Sequence, residues 1–126
     1  MDYSHGSARN QVAHLMNVDE IWFSELRNLE IAKEYEPADF DDRDNIRAHW
    51  DRVEGAMRDY LANLQDAMLF EKPIEHEEDY VLMVWQVLIH VVNHGTDHRA
   101  QLLSLLHDLG VKTSSQDFIF YVYDHP

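Results

Sequence analysis

Three histidines recur every four residues in one stretch of this chain, at His90, His94 and His98. Residues four apart on a helix are neighbours on one face. Two neutral imidazoles at that spacing can grip one transition metal. A further histidine, His14, lies far upstream on a second predicted helix. One imidazole from there and two from the ladder make a three-histidine site with open coordination positions. That is the arrangement of a catalytic metal rather than of a closed structural one.

The ladder sits where its polarity needs explaining. On a helical wheel His94 and His98 share a face with Val84, Val87, Val91, Leu102, Leu105 and Leu109, so both imidazoles are expected to point into the core. A buried polar group without a partner costs about 1–3 kcal/mol. Either each ring finds a hydroxyl, carbonyl or carboxylate in the core, or the pair holds a metal. Gln101, three residues after His98 on the same face, can steady a ligand or serve as a plain core amide. His90 ranks below the other two, because three ligands in a line along one helix cannot surround an ion. His5, His49, His76, His107 and His125 fall at termini, in polar contexts or off the stripe, and read as solvated. Asp97, the one acid at ligand spacing from His94, lies off the stripe's centre. A closed fourth ligand would have to come from Asp19 or Glu25 on the first helix.

Three amphipathic segments must position these rings. The first spans about 7–27: Ser7 is a plausible N-cap, and Val12, Leu15, Met16, Trp22, Phe23 and Leu26 form a broad apolar stripe with His14 at its flank. A connection ending near Pro37 follows. The second segment spans about 42–68, capped by Asp41 or Asp42, with Ile46, Trp50, Val53, Met57 and Leu64 on its inner face. Residues 69–74 read as an extended stretch. The third segment spans about 78–109, carries the ladder and is stopped by Gly110. Gly95 falls mid-helix, where glycine costs roughly 1 kcal/mol against alanine, and its place beside the inward face suggests a second backbone passing close. The aromatic tail 117–123 is expected to fold back over the bundle as a short helix or strand.

With 126 residues, 45% of them hydrophobic, the chain suits one domain over 1–126 with a packed core. Four glycines and three prolines are too few for a loop-rich or all-β chain. There is no cysteine, hence no disulfide framework, no thiolate nucleophile and no cysteine-type zinc site. No apolar run is long enough to span a bilayer, and the start lacks a signal peptide's basic and apolar regions, so a cytoplasmic protein is the simplest reading. A formal charge of −14 argues against nucleic acid and against an anionic membrane surface. The acidic runs at 39–42 and 75–79 read as solvated loops and helix starts.

Three features together resemble the DinB-like superfamily of metal-binding helical bundles. They are the stretch Ser7–Met16 with His14, followed by Trp22; the stretch Leu88–Gln101, with its N-H-x-x-x-H-R-x-Q core; and the Leu109–Gly110 stop followed by Gln116-Asp117-Phe118. The resemblance implies an all-α fold of the four-helix-bundle type. Against the family pattern, this sequence lacks the helix that precedes the position of Ser7. The resemblance also implies a zinc or nickel ion held by His14, His94 and His98, the trio that spacing alone nominates. It further implies a metal-dependent enzyme, a transferase or hydrolase, with a low-molecular-weight thiol such as bacillithiol, mycothiol or glutathione as cofactor and a small-molecule substrate. Asp19, Trp22, Asn93 and Gln101 are candidates for shaping its pocket. The alternative is a non-catalytic bundle stapled by its metal and used as a stress-response or binding module. A second apolar stripe on the ladder helix (Trp85, Val92, Leu103, Leu106) points to a homodimer.

Overall fold

The computed structural model describes residues 7–29, 42–76 and 80–126. Within them helix α1 spans Ala8–Leu26, α2 spans Arg43–Ala62, a 3-10 turn spans Asp66–Phe70, strands β1 and β2 span Ile74–His76 and Tyr80–Leu82, α3 spans Val84–Asp108 and α4 spans Phe118–Asp124. The fold is the expected all-α bundle, with one short hairpin between α2 and α3.

Local chemistry sets the ends of the long helices. Ser7 caps α1 by accepting from the Asn10 amide at 3.2 Å, and the Asp42 carboxylate caps α2 by accepting from the Asn45 amide at 2.9 Å. α1 and α3 both end on a left-handed residue that reverses the chain. Asn28 (φ 56°) donates to the Glu25 carbonyl while Leu29 donates to that of Ser24. Gly110 (φ 82°) donates to the His107 carbonyl while Val111 donates to that of Leu106. Both endings satisfy carbonyls that the helix itself leaves open.

α1 packs against both α2 and α3. Its contacts with α3 pair Gln11 with Gln101, His14 with His94, and Trp22 with His90, so the two helices run antiparallel. The main core gathers Phe23, Leu26, Ile74, Val84, Val87 and Val91, with Met57 and Tyr60 of α2 against it. A smaller cluster, Ala13 and Met16 against Ile46 and Trp50, joins α1 to the start of α2.

Four expectations change. The second helix ends at Ala62, not near residue 68: the Asn63 side chain donates to the Asp59 carbonyl at 2.8 Å and the chain passes into the 3-10 turn. The third helix starts at Val84 rather than near 78, because residues 74–76 and 80–82 pair as an antiparallel hairpin that buries Ile74. Leu109 lies past the end of α3 and is 66% exposed, so it leaves the inner stripe. The aromatic tail is a helix, α4, but it does not cover the bundle, and its large side chains from Phe118 to Tyr123 stay exposed. The acidic run at 39–42, apart from Asp42, and residues 77–79 of the run at 75–79 lie outside the described residues, as does His5.

Candidate metal centre

The antiparallel pairing of α1 with α3 brings the first half of α1 beside the second half of α3, and the three nominated rings meet there. One ring nitrogen from each of His14, His94 and His98 lies within 4.8 Å of the others. Ring centroids are 5.0 Å apart for His14 and His94, 4.6 Å for His14 and His98, and 4.2 Å for His94 and His98. His98 is buried, and the other two are half-buried.

The one nitrogen separation across the seam fits a shared ion. His14 Nε2 and His94 Nε2 stand 3.1 Å apart. Two nitrogens each about 2.0–2.1 Å from one ion stand roughly 2.8–3.4 Å apart, for angles at the ion from a right angle to the tetrahedral value. Among the described residues this group contains three histidines and no carboxylate: neither Asp19 nor Glu25 belongs to it. Three neutral ligands can therefore hold a divalent ion with its charge undiminished.

A chain of amides fixes one of the rings. His98 Nδ1 meets Gln11 Oε1 at 3.2 Å, Gln11 Nε2 donates to Gln101 Oε1 at 3.2 Å, and Gln101 Nε2 donates to the Asp97 carboxylate at 3.3 Å. The direction of the chain follows from its last link. A carboxylate only accepts, so Gln101 turns its amide nitrogen to Asp97 and its oxygen to Gln11. Gln11 then presents its own oxygen to His98, and Nδ1 of that ring carries the hydrogen. The lone pair of neutral His98 is left on Nε2, where a metal ligand needs it.

Gln11 was not nominated from the sequence, yet it is fully buried. Its signal was spacing: it stands three residues before His14, as Gln101 stands three after His98, so each amide shares a helix face with a candidate ligand. Of the proposed pocket residues, Gln101 joins the centre through Gln11, while Asn93 is exposed. Trp22 packs edge-on against His90 with centroids 5.1 Å apart. His90 is exposed and stands outside the ligand group.

Asp19 belongs to a different place. It lines an apolar cleft of about 720 Å³ between α2 and α3, whose described lining includes none of the three histidines. Burial there raises its pKa to about 6, and the nearby Arg99 guanidinium opposes the shift. The close approach inferred at Gly95 comes from Arg99 rather than from a second backbone. A β-carbon at Gly95 would stand 2.7 Å from the Arg99 guanidinium nitrogen, which lies folded back along the helix.

His49 is the other correction. It is buried, not solvated. Its Nδ1 lies 2.9 Å from Arg52 Nη2 and its Nε2 lies 2.8 Å from Glu20 Oε2. Arginine only donates, so Nδ1 accepts, and Nε2 faces the Glu20 carboxylate as a close charge contact rather than a well-aligned hydrogen bond. This links α2 to α1 and lies outside the histidine group.

Comparison with known families finds a match to the model described as the DinB family over residues 2–125. No curated protein and no solved structure matches the chain.

Proposed function

The chain belongs to the DinB family, and we propose that it is a metal-dependent enzyme whose His14, His94 and His98 hold a divalent zinc or nickel ion that engages a low-molecular-weight thiol. The observation that carries this reading is the convergence of three imidazoles with no carboxylate in their group among the described residues. A metal held only by neutral ligands keeps its Lewis acidity and holds a thiol as its thiolate at neutral pH.

The protein's own residues supply position. Gln11 and Gln101 keep His98 in the tautomer that leaves Nε2 free. His14 and His94 are brought together by the antiparallel seam. Trp22 and the exposed His90 flank the ladder one turn before His94, at the edge of the centre.

The test is X-ray absorption on zinc-loaded protein before and after addition of glutathione. A sulfur scatterer at about 2.3 Å after addition supports the reading. A shell of nitrogen and oxygen alone at saturating thiol overturns the thiol role. In that case the ion serves as a staple between α1 and α3, a role favoured by the origin of the ligands, which come from helices 80 residues apart in sequence.

A further inference from the structure

The cleft between α2 and α3 has a polarity along its length. Ile46 and Trp50 pack against Ala13 and Met16, His49 meets Glu20, and Tyr60 meets Phe23, so α2 runs parallel to α1 and therefore antiparallel to α3. Arg43 and Arg47, at the start of α2, consequently lie toward the end of the cleft that Leu102 of α3 lines. Met57, Val91 and Val92 line the other end, with Trp50 between. One end is cationic and the other is apolar.

Five charged groups line the cleft, Arg43, Arg47 and Arg99 against Asp19 and Asp51. Arg99 lies folded over Gly95 and its charge acts on Asp19, so these two offset each other. Asp51, one turn beyond Arg47 and exposed, offsets a second arginine at a distance. One net positive charge remains, in a chain whose formal charge is −14. The guanidinium groups of Arg43 and Arg47 make no hydrogen bond or ion pair among the described residues. Two such forks one turn apart suit a planar carboxylate, which accepts parallel hydrogen bonds from a guanidinium. The two aspartates repel a second negative charge, so a doubly charged phosphate ester matches the cleft less well.

We propose that this cleft is a binding site for a small amphipathic carboxylate, held at its head by Arg43 and Arg47 with its hydrocarbon body between α2 and α3. The volume, about 720 Å³, falls among small-molecule sites of roughly 300–1,000 Å³, which share this pattern of apolar walls with a few polar anchors. The wall of α2 from Arg47 to Met57 is roughly 15 Å long at the helical rise, room for a medium-length acyl chain. None of the three histidines lines the cleft, so this site and the metal centre can fail separately.

Calorimetric titration with decanoate, decanol and decyltrimethylammonium, each below its micelle threshold, compares three head groups on one hydrocarbon body. Decanoate should bind once per chain. Decanol should bind about tenfold more weakly, the loss of one charge-assisted hydrogen bond, and the cation should give no measurable heat. The double substitution Arg43→Gln with Arg47→Gln, at two exposed positions, should bring decanoate down to the decanol affinity and leave decanol unchanged. Location is read from fluorescence. With Trp22→Phe and Trp85→Phe, Trp50 is the remaining tryptophan, and decanoate brominated at its tail should quench it. Equal binding of decanoate and decanol would overturn the proposal, as would a carboxylate preference that survives the double substitution, or a preference for the cation. Trp50 emission unmoved at saturating bromodecanoate would overturn it too. Decanoate binding that requires added zinc would place the carboxylate on the histidine centre instead. Absence of saturable decanoate binding also overturns the proposal, and sedimentation above the 14.9 kDa chain mass would then show the cleft covered by another polypeptide.

Discussion

His14 and His94 turn their Nε2 atoms toward each other at 3.1 Å across the seam between α1 and α3. The contact joins residues 80 positions apart, and neither helix can place it alone. The two-helix seam is the scaffold of the centre, so the centre should respond to changes that leave the three rings themselves intact.

Gln11 is the first such change. Replacing it by leucine keeps the volume and removes the acceptor for His98 Nδ1, so the ring loses the partner that holds its tautomer. Metal affinity in Gln11→Leu should fall about 10–100-fold, the usual effect of losing a hydrogen bond behind a ligating histidine. Gln101→Leu acts one link further out and should cost less. Competition against a chelator of known affinity measures both. Equal affinity in Gln11→Leu and the parent protein would show that the amide chain does not orient the ligand.

Gly95→Ala separates two explanations of a mid-helix glycine. A backbone packed on Gly95 would make alanine severely destabilising. The nearest group is the tip of a flexible arginine, which can swing away. Alanine should then be neutral or stabilising by up to about 1 kcal/mol from helix propensity. Urea unfolding checks this, and a loss of several kcal/mol would show that the space is filled by something other than Arg99.

Asp19 gives a pH dependence with a definite sign. Its folded pKa, about 6, lies above its ordinary value of 3.8, so the folded state favours the protonated acid. Below pH 3.8 the group costs nothing. The cost appears as pH rises from 3.8 to 6 and is fully present above that. Asp19→Asn should therefore match the parent protein in stability near pH 3.5. At pH 7 it should exceed the parent by about 1 kcal/mol, after allowance for solvent screening of a partly open site. Denaturant unfolding at the two pH values reads the difference. A variant less stable than the parent at pH 7 would mean that the pairing with Arg99 outweighs burial.

Much of the site was legible because helical periodicity is local. The four-residue spacing of His94 and His98 and their place on a stripe with Val84, Val87 and Val91 require only that the segment be helical. Gly110 and Ser7 marked helix ends through chemistry that acts within one turn. Features that depend on a partner element were harder to read. His49 looked solvated among Arg47, Asp51 and Arg52, and it is buried because Glu20 of α1 reaches it. Gly95 gave a true signal of close approach, but its source, a side chain four residues on, is a rotamer choice that sequence does not encode. The hairpin at 74–76 and 80–82 was hidden by the acidic run beside it, which resembles a helix start. Asp19 sits on the same helix as His14, yet it faces the cleft between α2 and α3 rather than the histidines.

The central claim is that His14, His94 and His98 together bind one divalent metal. Metal analysis by mass spectrometry on the purified protein and on four single variants tests it most directly. The parent protein and His90→Ala should carry one ion per chain after zinc loading and dialysis, while His14→Ala, His94→Ala and His98→Ala should each lose most of it and keep their helical circular dichroism. Unchanged stoichiometry in His94→Ala and His98→Ala would contradict the claim.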